Sequence, residues 1–408
     1  MSYASGPKTD AGRRFLEAVA SVAPRLQERA SQADRDGQIC AANFQDFQST
    51  GITSAFVPED LGGFGLTSVH DWILGVAAIA KGDGSAAIAM NMHLAVTAGM
   101  AAGYRRAKAS GGSSAGPAAT LAAVARGEML ICATATERGG DNLHPFTEAT
   151  RTDTGWRIDG TKLFATLSPL ATHIAMNLRI RDDEGDHIGS ALLPMNTPGI
   201  RPQDDWDAMG MRGSGSQSII FDSVEVSAAA VRRIGPWGQW SIPVLLNRTM
   251  ANLPLVAASL GMAEAAYEFA LQAVGKQEKL GQAMNSKPGV QHVVGEMTME
   301  LARCQSIMRQ AGSGLDDFLL RHADQAPPLA AAHAIMQDYQ SAKWTVNRGA
   351  IDIVSQAMDL TGGGAFMSSH PLSRLYRDVR AGPFMQPYSP SEAREYVGKV
   401  ALGLFPEA

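Results

Sequence analysis

The sequence predicts a multidomain α+β protein with an N-terminal helical domain over 1–126, a middle antiparallel β-barrel-like domain over 127–235 and a C-terminal four-helix bundle over 236–408. Three observations carry this. Apolar residues recur at i, i+3 and i+4 up to Arg126, apolar and polar residues alternate from there to about residue 232, and long apolar stripes return after Gly235-Pro236.

In the first part, 12–50 and 66–108 read as helices, the second marked by Trp72, Leu74, Val76, Ala77 and Ile79 after Ser68. Between them VPEDLGGFG is a loop punctuated by Pro and Gly. ASGGSSAGP over 109–117 reads as a turn or flexible connection before a short helical segment that runs to Arg126. The segments MLICATATE, TEATRTDTGWRIDGTKLFAT, HIAMNLRIRDDEGDHIGSALLPM and SQSIIFDSVEV read as strands joined at Thr-Gly, Asp-Gly and Glu-Gly turns. Four helices follow, at 241–275, 288–322, 328–360 and 389–403, enough for a bundle. No repeat of fixed period interrupts this order.

Composition narrows the function. At 408 residues, 45% hydrophobic and 18% charged, the chain can bury a sizeable core. A net charge of −5 and no Lys/Arg block argue against nucleic acid as a partner. Cys40, Cys132 and Cys304 are too scattered for a disulfide framework, which suits a reducing compartment; the expected location is the cytoplasm. The N-terminus lacks an apolar leader and the apolar runs are interrupted, so neither export nor a membrane span is expected. The nine histidines show no metal-ligand spacing, and no metal is expected.

Three segments of the β region carry residues suited to chemistry. In ATATERGGDN, Thr136 and Glu137 precede Gly139, Gly140, Asp141 and Asn142, where small residues expose backbone N–H groups to an acceptor-rich ring or phosphate. In GTKLFATLSP, Phe164 and Thr166 stand two apart on a strand, so an aromatic face and a hydroxyl can meet a flat cofactor together. In MGMRGSGSQ, Arg212, Ser214 and Ser216 sit in a Gly-rich bend entering a strand.

Together these segments resemble the acyl-CoA dehydrogenase family. Thr136-Glu137-Arg138-Gly139-Gly140-Asp141 is similar to its T-E-P-x-x-G-S-D stretch, Lys162 to Thr166 to its K-x-W-I-T strand, and Met209 to Ser216 to its M-G-x-R-x-S-x-T bend. Val57 to Leu66 resembles its P-E-x-x-G-G-x-G-L loop, and Gly362-Gly363, Pro371, Arg374 and Arg377-Asp378 follow its G-G…P…R…R-D run. The resemblance spans nearly the whole chain and implies the same helical, β, helical order. It implies a flavin, FAD with FMN as the alternative, contacted by Ala135, Thr136, Asp141, Phe164, Thr166, Gly362 and Gly363. It also implies Asn142 and Arg212 as substrate contacts, a homotetramer or homodimer, and an electron-transfer flavoprotein or flavin reductase as partner.

The family's chemistry needs a carboxylate over the substrate's α-carbon to take a proton while hydride leaves the β-carbon. In the commonest branch it stands eight residues after the Asp of R-D, and here that position is Gln386, an amide with no useful basicity. The isovaleryl-type branch places the base on the first bundle helix, where alignment of LGMAEA puts Ala251, beside Asn252. The remaining candidates are Glu137, Glu392, Glu395 and His93. Glu392 and Glu395 follow Ser389-Pro390-Ser391, where acids complement a helix start. His93 lies in the apolar run AIAMNMHLAV, in the region where the family lines its substrate pocket, and is kept with Gln386 as a catalytic candidate. The family's R-x-x-F-G segment appears as Gln277 to Gly281 without Arg or Phe, and Asp359 replaces a Gln before the Gly pair. The leading expectation is an oxidoreductase acting on an acyl-CoA thioester. The alternatives are a monooxygenase of the same fold using reduced flavin and O2, and a non-catalytic partner subunit.

Overall fold

The protein is described by a computed structural model over residues 6–276, 278–279 and 281–405. Gln277 and Leu280, part of the segment compared with R-x-x-F-G, lie outside the described residues.

The two long helical stretches of the first part each divide in two. Helix α1 (Asp10–Asp36) ends where Gly37 takes φ 66, a left-handed conformation that costs glycine little, and α2 (Ala41–Ser49) follows. Helix α3 (Val69–Gly82) gives way to α4 (Gly84–Ala109) at Asp83, whose carboxylate accepts the Ser85 and Ala86 N–H groups at 2.9 and 3.2 Å. Apolar spacing alone does not reveal such breaks, because the stripe continues across them. Helix α5 (Ala115–Ala125) closes this part. Among the described residues α4 alone is long and apolar enough to span a membrane, and most of that window is buried inside the protein, as in a core helix.

Eight strands follow: β1 (Ile131–Thr134), β2 (Glu148–Arg151), β3 (Gly155–Ala165), β4 (His173–Asp182), β5 (Gly185–Pro194), β6 (Ile200–Pro202), β7 (Gln217–Ser227) and β8 (Val231–Pro236). They form one sheet in the order β6-β7-β3-β2-β4-β5-β8, with β1 also on β4. Most pairings are antiparallel, but β1 and β2 both run parallel to β4. Alternation reports which face a residue takes, not the direction of its neighbour, so these parallel pairings were not legible. β1 also bridges toward β3, at Ala133–Thr166 and Thr136–Leu163, while β2 pairs with β3 along its length. β1 and β2 are therefore two halves of one interrupted strand, and the interruption, 135–147, carries the T-E-R-G-G-D-N residues.

Helices α6 (Ile242–Lys276), α7 (Pro288–Arg321) and α8 (Leu329–Thr361) pack with α10 (Pro390–Ala401) as the expected four, with a short α9 (Pro371–Asp378) before the last. The first and last parts share one core, in which Trp72 and Val76 of α3 are buried with Met262 of α6 and Met308 of α7. The α3–α6 crossing depends on Gly261, where a Cβ would stand 2.1 Å from the Ala77 carbonyl oxygen.

Candidate active site

The strand interruption at 135–147 is held from beneath. Glu137 and Lys162 form an ion pair at 2.8 Å with side chains 3% and 0% exposed. Glu137 also accepts the N–H groups of Phe146 and, at 2.7 Å, Thr147, while Lys162 donates to Asn177 Oδ1 at 2.9 Å. Burial alone raises the Glu137 carboxyl, but the Lys162 charge and these hydrogen bonds outweigh it and hold the group below the usual carboxylate range. Its acceptor capacity is committed to structure, so it is no free base.

Asp141 is likewise local. Its carboxylate accepts the Leu143 and His144 N–H groups at 2.7 and 2.8 Å and meets the His144 ring at 2.9 Å, closing a turn. Asn142 donates from Nδ2 to the Pro387 carbonyl at 2.6 Å, tying the interruption to the segment before α10.

That segment is pinned along its whole length. Lys343 of α8 donates to the carbonyls of Met385 and, at 2.6 Å, Tyr388; Tyr339 donates to Gln386 O at 2.8 Å; Asn142 holds Pro387. Four successive carbonyls thus have donors, and burial pushes Lys343 down to about 8. The Gln386 side chain reaches across to the strand interruption. Its Nε2 donates to Thr136 Oγ1 at 3.0 Å, and its Oε1 is buried without a partner.

At the end of β3, Phe164 takes φ 53 and is 54% exposed, meeting Trp206 edge-on with ring centres 6.0 Å apart. Trp206 is oriented by its Nε1 bond to Met211 O at 3.1 Å. Thr166, Ser216 and Ser214 form a hydroxyl chain with links of 2.8 and 2.7 Å.

These elements border one cleft of about 2310 Å³ where the three parts meet. Of the residues expected from the sequence, Ala135, Thr136, Phe164, Thr166 and Gln386 line it. Others do not. His93 is fully buried, with Nδ1 accepting the Ile131 N–H at 3.1 Å and Nε2 donating to Thr53 O at 2.9 Å. Burial pushes its pKa down to about 4, so it is a neutral strut between α4 and β1, which corrects its place as a catalytic candidate. Arg212 donates to the carbonyls of Asp34 and Ala208 at 2.8 and 3.3 Å, and this corrects its place as a substrate contact. Asp141 and Asn142 serve the loop rather than the cleft. Gly362 and Gly363 sit exposed at the end of α8 with open space around them, and Asp359 is exposed one turn earlier. Glu392 is the capping-box acid of α10 and Glu395 pairs with Lys399, so neither is a base.

The cleft also contains residues that the motifs did not mark, chiefly Trp206, Arg232 and Arg248. A signal for Arg248 was present: it is the one charged residue between Ile242 and Ala263.

Comparison with known proteins agrees with this geometry. Acyl-CoA dehydrogenase N-terminal, middle and C-terminal domain families match residues 9–128, 131–224 and 248–386. The chain is 31% identical over 400 residues to L-evernosamine nitrososynthase of Micromonospora sp., covering 98% of this chain and 92% of that one. It is 33% identical over 401 residues to amino sugar nitrososynthase DnmZ of Streptomyces peucetius, covering 97% and 95%. KijD3, solved in complex with FMN and dTDP-3-amino-2,3,6-trideoxy-4-keto-3-methyl-D-glucose, superposes with a TM-score of 0.88 at 30% identity, covering 98% and 96%. With all three domains matched in order along one chain, the protein is a member of the acyl-CoA dehydrogenase family.

Proposed function

We propose that the protein is a flavin-dependent monooxygenase that oxidises the amine nitrogen of a nucleotide-linked amino sugar, with flavin reduced by a separate reductase. The observation that carries this is Gln386. The position of the family's base holds a neutral amide bonded to Thr136, in a chain 31% and 33% identical to two amino sugar nitrososynthases.

The residues present fit a flavin. Phe164 and Phe384 turn aromatic surface, and Met209 a thioether, into the cleft, which suits covering a flat ring, and the Thr136 and Thr166 hydroxyls stand at its edge. A bound reduced flavin would supply the two electrons that activate dioxygen. Each oxidation then consumes one O2, two electrons and two protons, places one oxygen atom on nitrogen and releases the other as water.

The protein's part is positioning. The amide of Gln386 cannot take a proton from carbon at neutral pH, but its free Oε1 accepts an N–H from the substrate amine and directs the nitrogen lone pair. Among the described residues that line the cleft the carboxylates are Asp316, Asp317 and Asp324, and none bonds to Gln386, Thr136 or Thr166. Asp316 instead caps α3 through Ser68 and Val69. Met92, Val96 and Leu255 keep a stretch of wall apolar and limit water at the reacting nitrogen. Oxidation at nitrogen breaks no C–H bond and so is compatible with this donor set, whereas dehydrogenation of an acyl-CoA requires the base that is missing.

The test supplies the protein with FMN, a flavin reductase, NADH and a thymidine diphosphate amino sugar under isotopically labelled O2. Mass spectrometry is expected to find label on nitrogen. Absence of label, together with anaerobic bleaching of the bound flavin by an acyl-CoA, would overturn the reading.

A further inference from the structure

One wall of the cleft, formed by β4, β5, β8 and the start of α6, differs from the aromatic ring cradle. Register sets Asn177 opposite Ser190 and Ser190 opposite Arg232, so an amide, a hydroxyl and a guanidinium form a row across three strands. All three line the cleft together with Arg248 of α6.

Cations nearby are neutralised. Arg233 pairs with Asp182 at 2.5 Å and with Glu184, and Arg179 pairs with Asp186. Among the described residues the guanidinium groups of Arg232 and Arg248 have no hydrogen-bond or ion-pair partner. Asn177 is 6% exposed, and because Lys162 occupies its Oδ1, its buried Nδ2 is left as a donor without an acceptor. Two unpaired guanidiniums, an idle amide donor and a hydroxyl, with no carboxylate in the row, are the groups that bind a phosphate-type dianion. Burial pushes Arg248 down to about 10, an unfavourable setting that a bound anion relieves.

Position along α6 relates this row to the reacting centre. Asn252, four residues after Arg248 and therefore about 6 Å along the helix, lines one small recess with Met385, the neighbour of Gln386.

We propose that Asn177, Ser190, Arg232 and Arg248 hold the diphosphate of the substrate, with the sugar reaching from there to Gln386. This rests on the functional reading above and adds to it the site that selects a nucleotide-linked sugar over a free one.

Calorimetric titration of the FMN-loaded protein with thymidine diphosphate, and separately with inorganic pyrophosphate, tests it in wild type, Arg232→Ala, Arg248→Gln and the variant carrying both replacements. Arg232 lies exposed on β8, so its replacement leaves the core intact. Each arginine replacement is expected to weaken thymidine diphosphate at least tenfold and both together about a hundredfold, while FMN affinity and melting temperature hold. Unchanged nucleotide affinity in both variants overturns the site even if amine oxidation stands. Loss of FMN affinity in place of nucleotide affinity also overturns it, by giving the row to the flavin phosphate. Binding of thymidine diphosphate through these arginines, without turnover of any amino sugar, supports the site and fails the functional reading instead.

Discussion

Gln386 and Thr136 stand 250 residues apart in the chain and are joined by a 3.0 Å hydrogen bond from Nε2 to Oγ1. The bond ties the amide to the strand interruption and leaves its Oε1 without a partner. With Nε2 committed to the strand interruption, the acceptor oxygen is what remains for a substrate.

Replacing Gln386 by Leu removes that acceptor and leaves the backbone bonds from Tyr339, Lys343 and Asn142 in place. Turnover of the amine is expected to fall about tenfold or more, the worth of one hydrogen bond in a water-poor site. FMN affinity should stay within a factor of two, because the ring cradle is untouched. Steady-state kinetics beside a flavin titration check this, and unchanged turnover in Gln386→Leu would remove the residue from substrate positioning.

Glu137→Gln leaves the buried Lys162 ammonium without its counter-charge. The expected loss is about 3–5 kcal/mol of stability, read as a lower denaturation midpoint. Pairing the change with Lys162→Met should restore most of it. Folded Glu137→Gln protein should keep its activity per flavin bound, since the carboxylate takes no part in proton transfer.

His93 makes stability pH-dependent in a defined direction. Its folded-state pKa, depressed to about 4 by burial, lies below the 6.5 of an exposed imidazole, so the unfolded chain binds an extra proton between those values. The stabilising preference for the neutral ring is complete above pH 6.5 and is lost progressively as pH falls to about 4, by about 3 kcal/mol in total. Urea unfolding across that range should show this loss, and the slope should flatten in His93→Gln even though the variant is less stable at pH 7.

Gly261→Ala forces a methyl against the Ala77 carbonyl at the α3–α6 crossing. An overpacking cost of about 1–3 kcal/mol is expected. Thermal denaturation checks it, with Gly275→Ala, where an added Cβ meets nothing within 4 Å, as the unclashed control on the same helix, expected to hold or raise stability.

The three-part order, the strands and the bundle helices were all legible, because periodicity is a local property of consecutive residues. So were Thr136, Phe164 and Thr166 as cleft residues, through motifs whose glycines and hydroxyls mark where backbone and ring can meet. The helix-start role of Glu392 followed from Ser389 three residues before it. Tertiary structure decided what each polar group does with its hydrogen-bonding capacity. His93 and Arg212 read as functional in the sequence and are consumed by Thr53, Ile131, Asp34 and Ala208, all brought to them by folding. Gln386 read as a lost base, and only its contact with Thr136 shows which atom is left to act. Arg232 and Arg248 carried no motif, and they differ from their paired neighbours only because the register of β5 and β8 and the start of α6 leave them facing a cleft with no carboxylate in reach. Side-chain identity is written locally, but the freedom of a polar atom depends on partners tens to hundreds of residues away, so it exists only in the folded chain.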